Sequence, residues 1–180
     1  MRKVLYASAL GIIGAGIVHI VILLLLPAYS EQAAWTGDSS AASNIPLPLE
    51  NSEGGAASSN PFIKAAACRF DLADSALHVQ APETAIPFWS MAVYDGKGLN
   101  QFSLNNRTTN RATLDFLLVN PSQTQRLKAG IPAAFAQSHF VETKSEEGIA
   151  VVRAFVPDTT WSGLADSFFA GLRCEPAHLD

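Results

Sequence analysis

The sequence predicts a mainly β, α+β chain. An N-terminal transmembrane helix is followed by a flexible linker and then by an antiparallel β-sheet or sandwich domain with a C-terminal amphipathic helix. Three observations predict it. Val4 to Leu26 is a run of 23 residues with no Asp, Glu, Lys or Arg. Residues 28–60 are rich in Ser, Ala, Gly, Asn and Pro. Beyond residue 60, short apolar runs of strand type recur between turn sequences, and helix-strand alternation of the parallel kind is absent.

At about 1.5 Å per residue the apolar run is about 35 Å long as a helix, enough to cross a hydrocarbon core of about 30 Å with some tilt. Arg2 and Lys3 precede it and the next basic residue is Lys64. The bias of basic residues toward the cytoplasm therefore predicts an N-in, single-pass anchor, with everything after Pro27 translocated. The rival reading is a cleaved signal peptide, with Ala28-Tyr29-Ser30 loosely matching the cleavage pattern. The length of the run favours the anchor, since signal-peptide cores span about 7 to 15 residues. Ala7, Gly11 and Ala15 fall four apart, the small-residue spacing that lets membrane helices approach, and they are the candidate face for helix pairing. His19 is read as a tolerated polar residue rather than a proton relay or metal ligand.

The chain has 180 residues, 48% of them hydrophobic, and a formal net charge of −4. That leaves room for an anchor (1–27), an acidic linker (28–60) and one folded domain (61–180). The linker carries Glu31, Asp38, Glu50 and Glu53 without a basic residue, and would reach about 30 Å as a flexible coil. Trp35 and Ile45-Pro46-Leu47-Pro48-Leu49 interrupt it, the latter read as polyproline-type structure docking on the domain or the membrane interface. The folded part holds ten Lys or Arg against twelve Asp or Glu, so it lacks the basic excess of a nucleic-acid binder. Cys68 and Cys174 frame this part. In an oxidising compartment they are expected to form a disulfide that pins the last helix to the first strand.

Within the domain, Arg69 to Val79 reads as one strand broken near residues 73–75. Phe88 to Asp95, FWSMAVYD, is the strongest strand signal, apolar on both faces and therefore central. Asp95-Gly96-Lys97-Gly98 is a turn, and Leu99 to Asn105 its hairpin partner. Thr113 to Val119 is a further strand, and Asn120-Pro121-Ser122 opens a short helix ending at Gly130. Phe140 to Thr143 and Ile149 to Val156 flank a polar turn and read as a second hairpin. Asp158 or Thr159 caps a last helix whose Trp161, Leu164, Phe168 and Leu172 form one apolar stripe.

Phe88-Trp89-Ser90-Met91-Ala92-Val93-Tyr94-Asp95-Gly96, followed by Asn105-Asn106-Arg107, resembles bacterial proteins that carry the domain of unknown function 1254 and its companion, 1214. The resemblance spans about residues 65–175. It implies a β-rich envelope protein acting beside a separately encoded companion, and it supplies no catalytic residue and no cofactor. Physically the motif reads as structure: an aromatic core residue, a turn-closing Asp and strand-end polar residues. The functional alternative is a polar or anionic ligand held at Trp89, Tyr94, Asn106, Arg107 and Arg111.

These readings favour a membrane-anchored, non-catalytic binding or interaction module on the periplasmic side. The alternative is an envelope hydrolase or a glycan- or peptide-binding enzyme using the hairpin from Trp89 to Arg107. Ser90, Asp95, His78, His139 and His178 are available to it. However, no G-x-S-x-G elbow occurs, and three scattered histidines make no metal-ligand pattern.

Overall fold

The computed structural model describes residues 2–36, 46–48, 60–109 and 113–179. The chain divides into two units, Met1–Thr36 and Gly37–Asp180.

The first unit is one helix, α1 (Arg2–Thr36). Its span Arg2–Leu25 is long and apolar enough to cross a membrane. All 24 side chains in that span are exposed, including those of Ala7, Gly11 and Ala15. A helix that is apolar all round with no protein over it is what a bilayer stabilises. The helix continues past residue 27, the expected end of the anchor, although the membrane-capable span ends at Leu25. The helix runs on through Pro27, because Glu31-Gln32-Ala33-Ala34 are strong helix formers and Gly37 is the next breaker. Residues 28–36 are therefore helical rather than part of a flexible linker.

The second unit is built on two sheets. The first contains β1 (Leu47–Pro48), β2 (Ile63–Asp71), β4 (Trp89–Asp95), β5 (Asn100–Asn105) and β8 (Glu147–Phe155). Its order is β1-β2-β8-β4-β5, antiparallel throughout. The second contains β3 (Ala76–Ala81), β6 (Leu114–Val119), β7 (His139–Glu142) and β9 (Arg173–Ala177), in the order β7-β6-β3-β9. Leu47 and Pro48 thus pair with Ala67 and Ala66, which replaces the polyproline expectation for these two residues. Ile45 and Leu49 lie outside the described residues.

One face of each sheet is apolar, and the two faces meet. Cys68, Phe70, Trp89, Met91, Val93 and Val152 from the first sheet share a buried cluster with Leu77, Val79, Leu114, Phe116 and Leu118 from the second. Burying each such side chain is worth about 1.5 to 3 kcal/mol, so this layer dominates the stability of the unit. Trp89 meets Phe116 edge-on across it, with centroids 6.4 Å apart. Cys68 and Cys174 form a disulfide, Cα to Cα 6.3 Å, that ties β2 in one sheet to β9 in the other. The expected bridge is present, but its second anchor is a strand, not the last helix.

Two further corrections concern topology. The sequence from Phe140 to Val156 is not a hairpin: β7 lies parallel to β6 in one sheet, and β8 lies between β2 and β4 in the other. The link between β6 and β7 is α2 (Pro121–Ala129), so one parallel helix-linked crossover is present, contrary to expectation. α2 starts where its sequence says it should. Asn120 Oδ1 accepts from the Gln123 N–H while Gln123 Oε1 accepts from the Asn120 N–H, a capping box with Pro121 in the first turn. Both amide side chains also donate to the Leu72 carbonyl, which fixes the helix to the β2–β3 connection. Leu127 then covers Leu117, Val119 and Ala76 on the outward face of the second sheet.

The C-terminal helix begins as a 3-10 turn, Thr159–Trp161, capped by Asp158, and continues as α3 (Ser162–Ala170). Its buried residues are Ala165 and Phe168, and Leu172 is buried just beyond it. Leu164 is 43% exposed, so the expected stripe loses one member. The chain then adds β9, an edge strand containing Pro176, that the sequence reading did not foresee.

Candidate binding clefts

Most polar groups of the hairpin motif are taken by its own backbone, the exception being Asn106 Oδ1, which is buried without a partner among the described residues. Asp95 Oδ1 accepts from the N–H groups of Lys97 and Leu99 at 2.9 Å each, and Oδ2 accepts from Gln101 Nε2 at 2.8 Å. Gly98, at φ 77°, supplies the left-handed residue that lets the turn close. Trp89 is 1% exposed in the core and touches no surface a ligand reaches. Asn106 donates from Nδ2 to the Pro87 carbonyl and from its backbone to the Trp89 carbonyl, locking the end of β5 to the start of β4. Arg107 stands over the Phe88 ring at 5.9 Å, and its N–H donates to Asn105 Oδ1. Tyr94 is half-buried on the outward face of the first sheet, with the Arg153 guanidinium 5.8 Å from its ring centre. Arg111 lies outside the described residues. The four described residues of the five expected to share a ligand do not converge: Trp89 is core, Asn106 and Arg107 sit at a strand end, and Tyr94 pairs with an arginine.

The hydrolase alternative fares similarly. Ser90 is opposite Arg153 and Asn105 in register. His78 meets Asp115 at 2.8 Å and Phe135 edge-on at 5.3 Å, on the outward face of the other sheet. His139 stacks on Phe116 between the sheets, centroids 5.3 Å apart, and its Nε2 is buried with no hydrogen-bond partner among the described residues. His178 is exposed beyond β9. Among the described residues no serine, histidine and carboxylate come into mutual hydrogen-bond reach. No group of three His, Cys, Asp or Glu side chains among them is placed to hold one metal ion. Asp158 has its carboxyl held below the ordinary carboxylate range by hydrogen bonds from the Thr160 hydroxyl and backbone N–H, a capping role.

Two clefts flank β7, and Phe140 lines both. The larger, about 560 Å³, lies on the outward face of the second sheet. Val119 comes from β6, Thr124, Leu127 and Lys128 from α2, Gly130 and Ile131 from the segment after it, and Phe140 and Glu142 from β7. Ile131 is 52% exposed and Phe140 41%, although both are large and apolar. The alternation of β7 sends Val141 inward and Phe140 outward, and α2 stops at Gly130, too early to cover it. The smaller, about 380 Å³, lies between β5 and β7 and is lined by Phe102, Ser103, Leu104, Thr108, Thr109, His139, Phe140 and Val141. Sequence reading missed both. Ile131 and Phe140 carried no motif, and their exposure depends on a parallel β6–β7 pairing that was not anticipated.

The fold and its clefts define a two-sheet α+β domain, cross-linked by a disulfide, in a chain that begins with a helix able to span a membrane. Residues 56–176 match the family model described as protein of unknown function (DUF1254), and the chain belongs to that family. No curated protein matches this chain. Among solved structures, the VPA0106 protein from Vibrio parahaemolyticus aligns with a TM-score of 0.54 and 13% identity, covering 65% of this chain and 28% of that one. An uncharacterised protein from Burkholderia cenocepacia aligns with a TM-score of 0.50 and 15% identity, covering 82% of this chain and 39% of that one. At these identities the likeness is one of fold. The chain matches less than half the length of either solved protein.

Proposed function

We propose that this protein is a single-pass component of the bacterial cell envelope, anchored N-in in the inner membrane, whose folded domain lies in the periplasm and binds a partner protein without catalysing a reaction. The orientation rests on Arg2 and Lys3 ahead of the uncharged run Val4 to Leu26 and the lack of any basic residue between them and Lys64. The compartment rests on the disulfide, which forms and persists where thiols are oxidised.

The binding role rests on one observation above the rest: Ile131 and Phe140 stand exposed over the larger apolar cleft, with Lys128 and Glu142 also in its lining. Apolar residues framed by charge are the composition of a protein-contact patch. The partner this reading favours is a separately encoded envelope protein, since both solved neighbours extend well beyond this domain.

Photocrosslinking amino acids placed at Ile131 and Phe140 in intact cells should give a discrete adduct absent from the same residue placed at exposed Glu83. An alkaline-phosphatase fusion after Leu26 should be active. No adduct from either cleft position would overturn the binding role, and an inactive fusion would overturn the orientation.

A further inference from the structure

Two open sheets have four edge strands, and these four are not built alike. β1 is two residues long and includes Pro48. β9 has Arg173, Glu175 and Pro176 among its five residues. Shortness, charge and proline are the devices by which edge strands avoid pairing with other chains. The remaining edges, β5 and β7, are the two that border the smaller cleft. β5 runs for six residues, NQFSLN, with neither charge nor proline. β7, HFVE, has a single charge at its last position. Among the described residues β5 pairs only with β4, and β7 only with β6.

We infer that the free edge of β5 is a strand-addition site: an extended segment of a partner polypeptide pairs with Asn100–Leu104 and lies in the cleft toward β7. This rests on the binding role proposed above and specifies recognition through the main chain. Asn105 is closed to a partner, because Thr108 takes both its N–H and its carbonyl. The remaining edge, Asn100–Leu104, spans about 17 Å, and covering it without supplying donors and acceptors would strand its open backbone groups. An acyl chain or a compact apolar ligand cannot meet that demand, whereas an extended peptide does. The cleft also limits the side chains that enter it. Phe102, Leu104, Phe140 and Val141 are apolar, and Ser103, Thr108, Thr109 and His139 are the polar members, with no Lys, Arg, Asp or Glu among the described residues that line it. A charge placed there would lose water without gaining a counter-charge. The bound segment therefore alternates, with apolar residues facing the cleft and polar residues facing solvent.

The test uses the full chain in lipid nanodiscs, panned against displayed random linear peptides of about 12 residues, long enough to extend past the edge at both ends. Enriched peptides should show that alternation and should slow amide exchange at Ser103, whose neighbours Phe102 and Leu104 turn their main-chain groups toward β4. Ser103→Lys adds an edge-guarding charge at an exposed position and should weaken them about tenfold or more, with an unchanged thermal midpoint. Glu83→Gln, at an exposed position outside both clefts, should leave their affinity unchanged. Peptides that slow exchange only around residues 127–131 and 140 would overturn strand addition while leaving the binding role standing. Failure to enrich any peptide over empty nanodiscs would also overturn strand addition, and the crosslinks from Ile131 and Phe140 report on the binding role independently.

Discussion

Opening the Cys68–Cys174 bridge with a reductant should lower the stability of the folded domain by about 4.8 kcal/mol, the chain-entropy value for a closed loop of its size. The bridged residues are 106 apart in sequence. Applied to that separation, the loop-closure relation gives about 16 cal/mol/K at about 25 °C. The native state changes little, because the two cysteines are 0% and 2% exposed and as thiols remain small buried apolar groups. The effect therefore falls on the unfolded chain, and it is a large part of the roughly 5 to 15 kcal/mol typical of a domain. Urea unfolding followed by emission of the buried Trp89 reads it directly. With a slope of about 2 kcal/mol per M, the midpoint should fall by about 2.4 M. A C68A/C174A variant should unfold slightly earlier still, because it also leaves two small cavities, and should not respond to reductant. A reduced wild type whose midpoint falls by less than about 0.5 M, equivalent to about 1 kcal/mol, would refute the reasoning. Packing across the Trp89–Phe116 layer, not the constraint on the unfolded chain, would then hold the sheets together.

Gly148→Ala places a Cβ 2.2 Å from the Tyr94 carbonyl oxygen and 2.5 Å from Phe70 Cζ, in a strand flanked on both sides. The backbone oxygen cannot rotate away, so the variant should lose about 1 to 3 kcal/mol or more, and an unchanged thermal midpoint would count against it. Asp158 titrates below its unfolded value, so its stabilisation is complete above about pH 3.9 and drains away as pH falls through the lowered folded pKa. Asp158→Asn keeps an acceptor for the cap but does not titrate, and should lose less stability than wild type over that acid window. Superimposable acid-unfolding curves would contradict the assignment.

What was legible in the sequence was written locally. The β4–β5 turn is specified within residues 95–98, where one carboxylate collects the turn N–H groups and one glycine takes positive φ. α2 is specified within residues 120–123 by a reciprocal cap, and its end by Gly130. What was not legible depended on partners distant in the chain. The polar stretch 144–148 looks like a hairpin turn, yet β8 pairs with β2 and β4 instead of β7. A signal was available: Ala150-Val151-Val152 is continuously apolar and all three residues are buried, the mark of a strand covered on both faces. A four-residue edge such as β7 leaves such a strand mostly unpaired. Leu164 misled for the converse reason, since its spacing fits the apolar stripe while Ala165 is the residue packed into the core.

The residues that make this chain recognisable are distinct from those that offer it a binding surface. Trp89 is spent on the core, Asp95 on three turn donors, and Asn105 and Asn106 on the ends of their own hairpin. Carboxylate and amide groups so occupied hold backbone geometry at about 1 kcal/mol per bond, and recruiting them to a ligand would forfeit that stability. The motif therefore marks the fold. Asn106 Oδ1, buried without a partner among the described residues, is the exception. The other groups with unspent capacity are the exposed apolar side chains of Ile131 and Phe140 and the open main-chain groups of β5. Main-chain recognition constrains side-chain identity weakly at most positions of a strand, which is why a binding edge in this fold leaves no motif for a sequence reader to find.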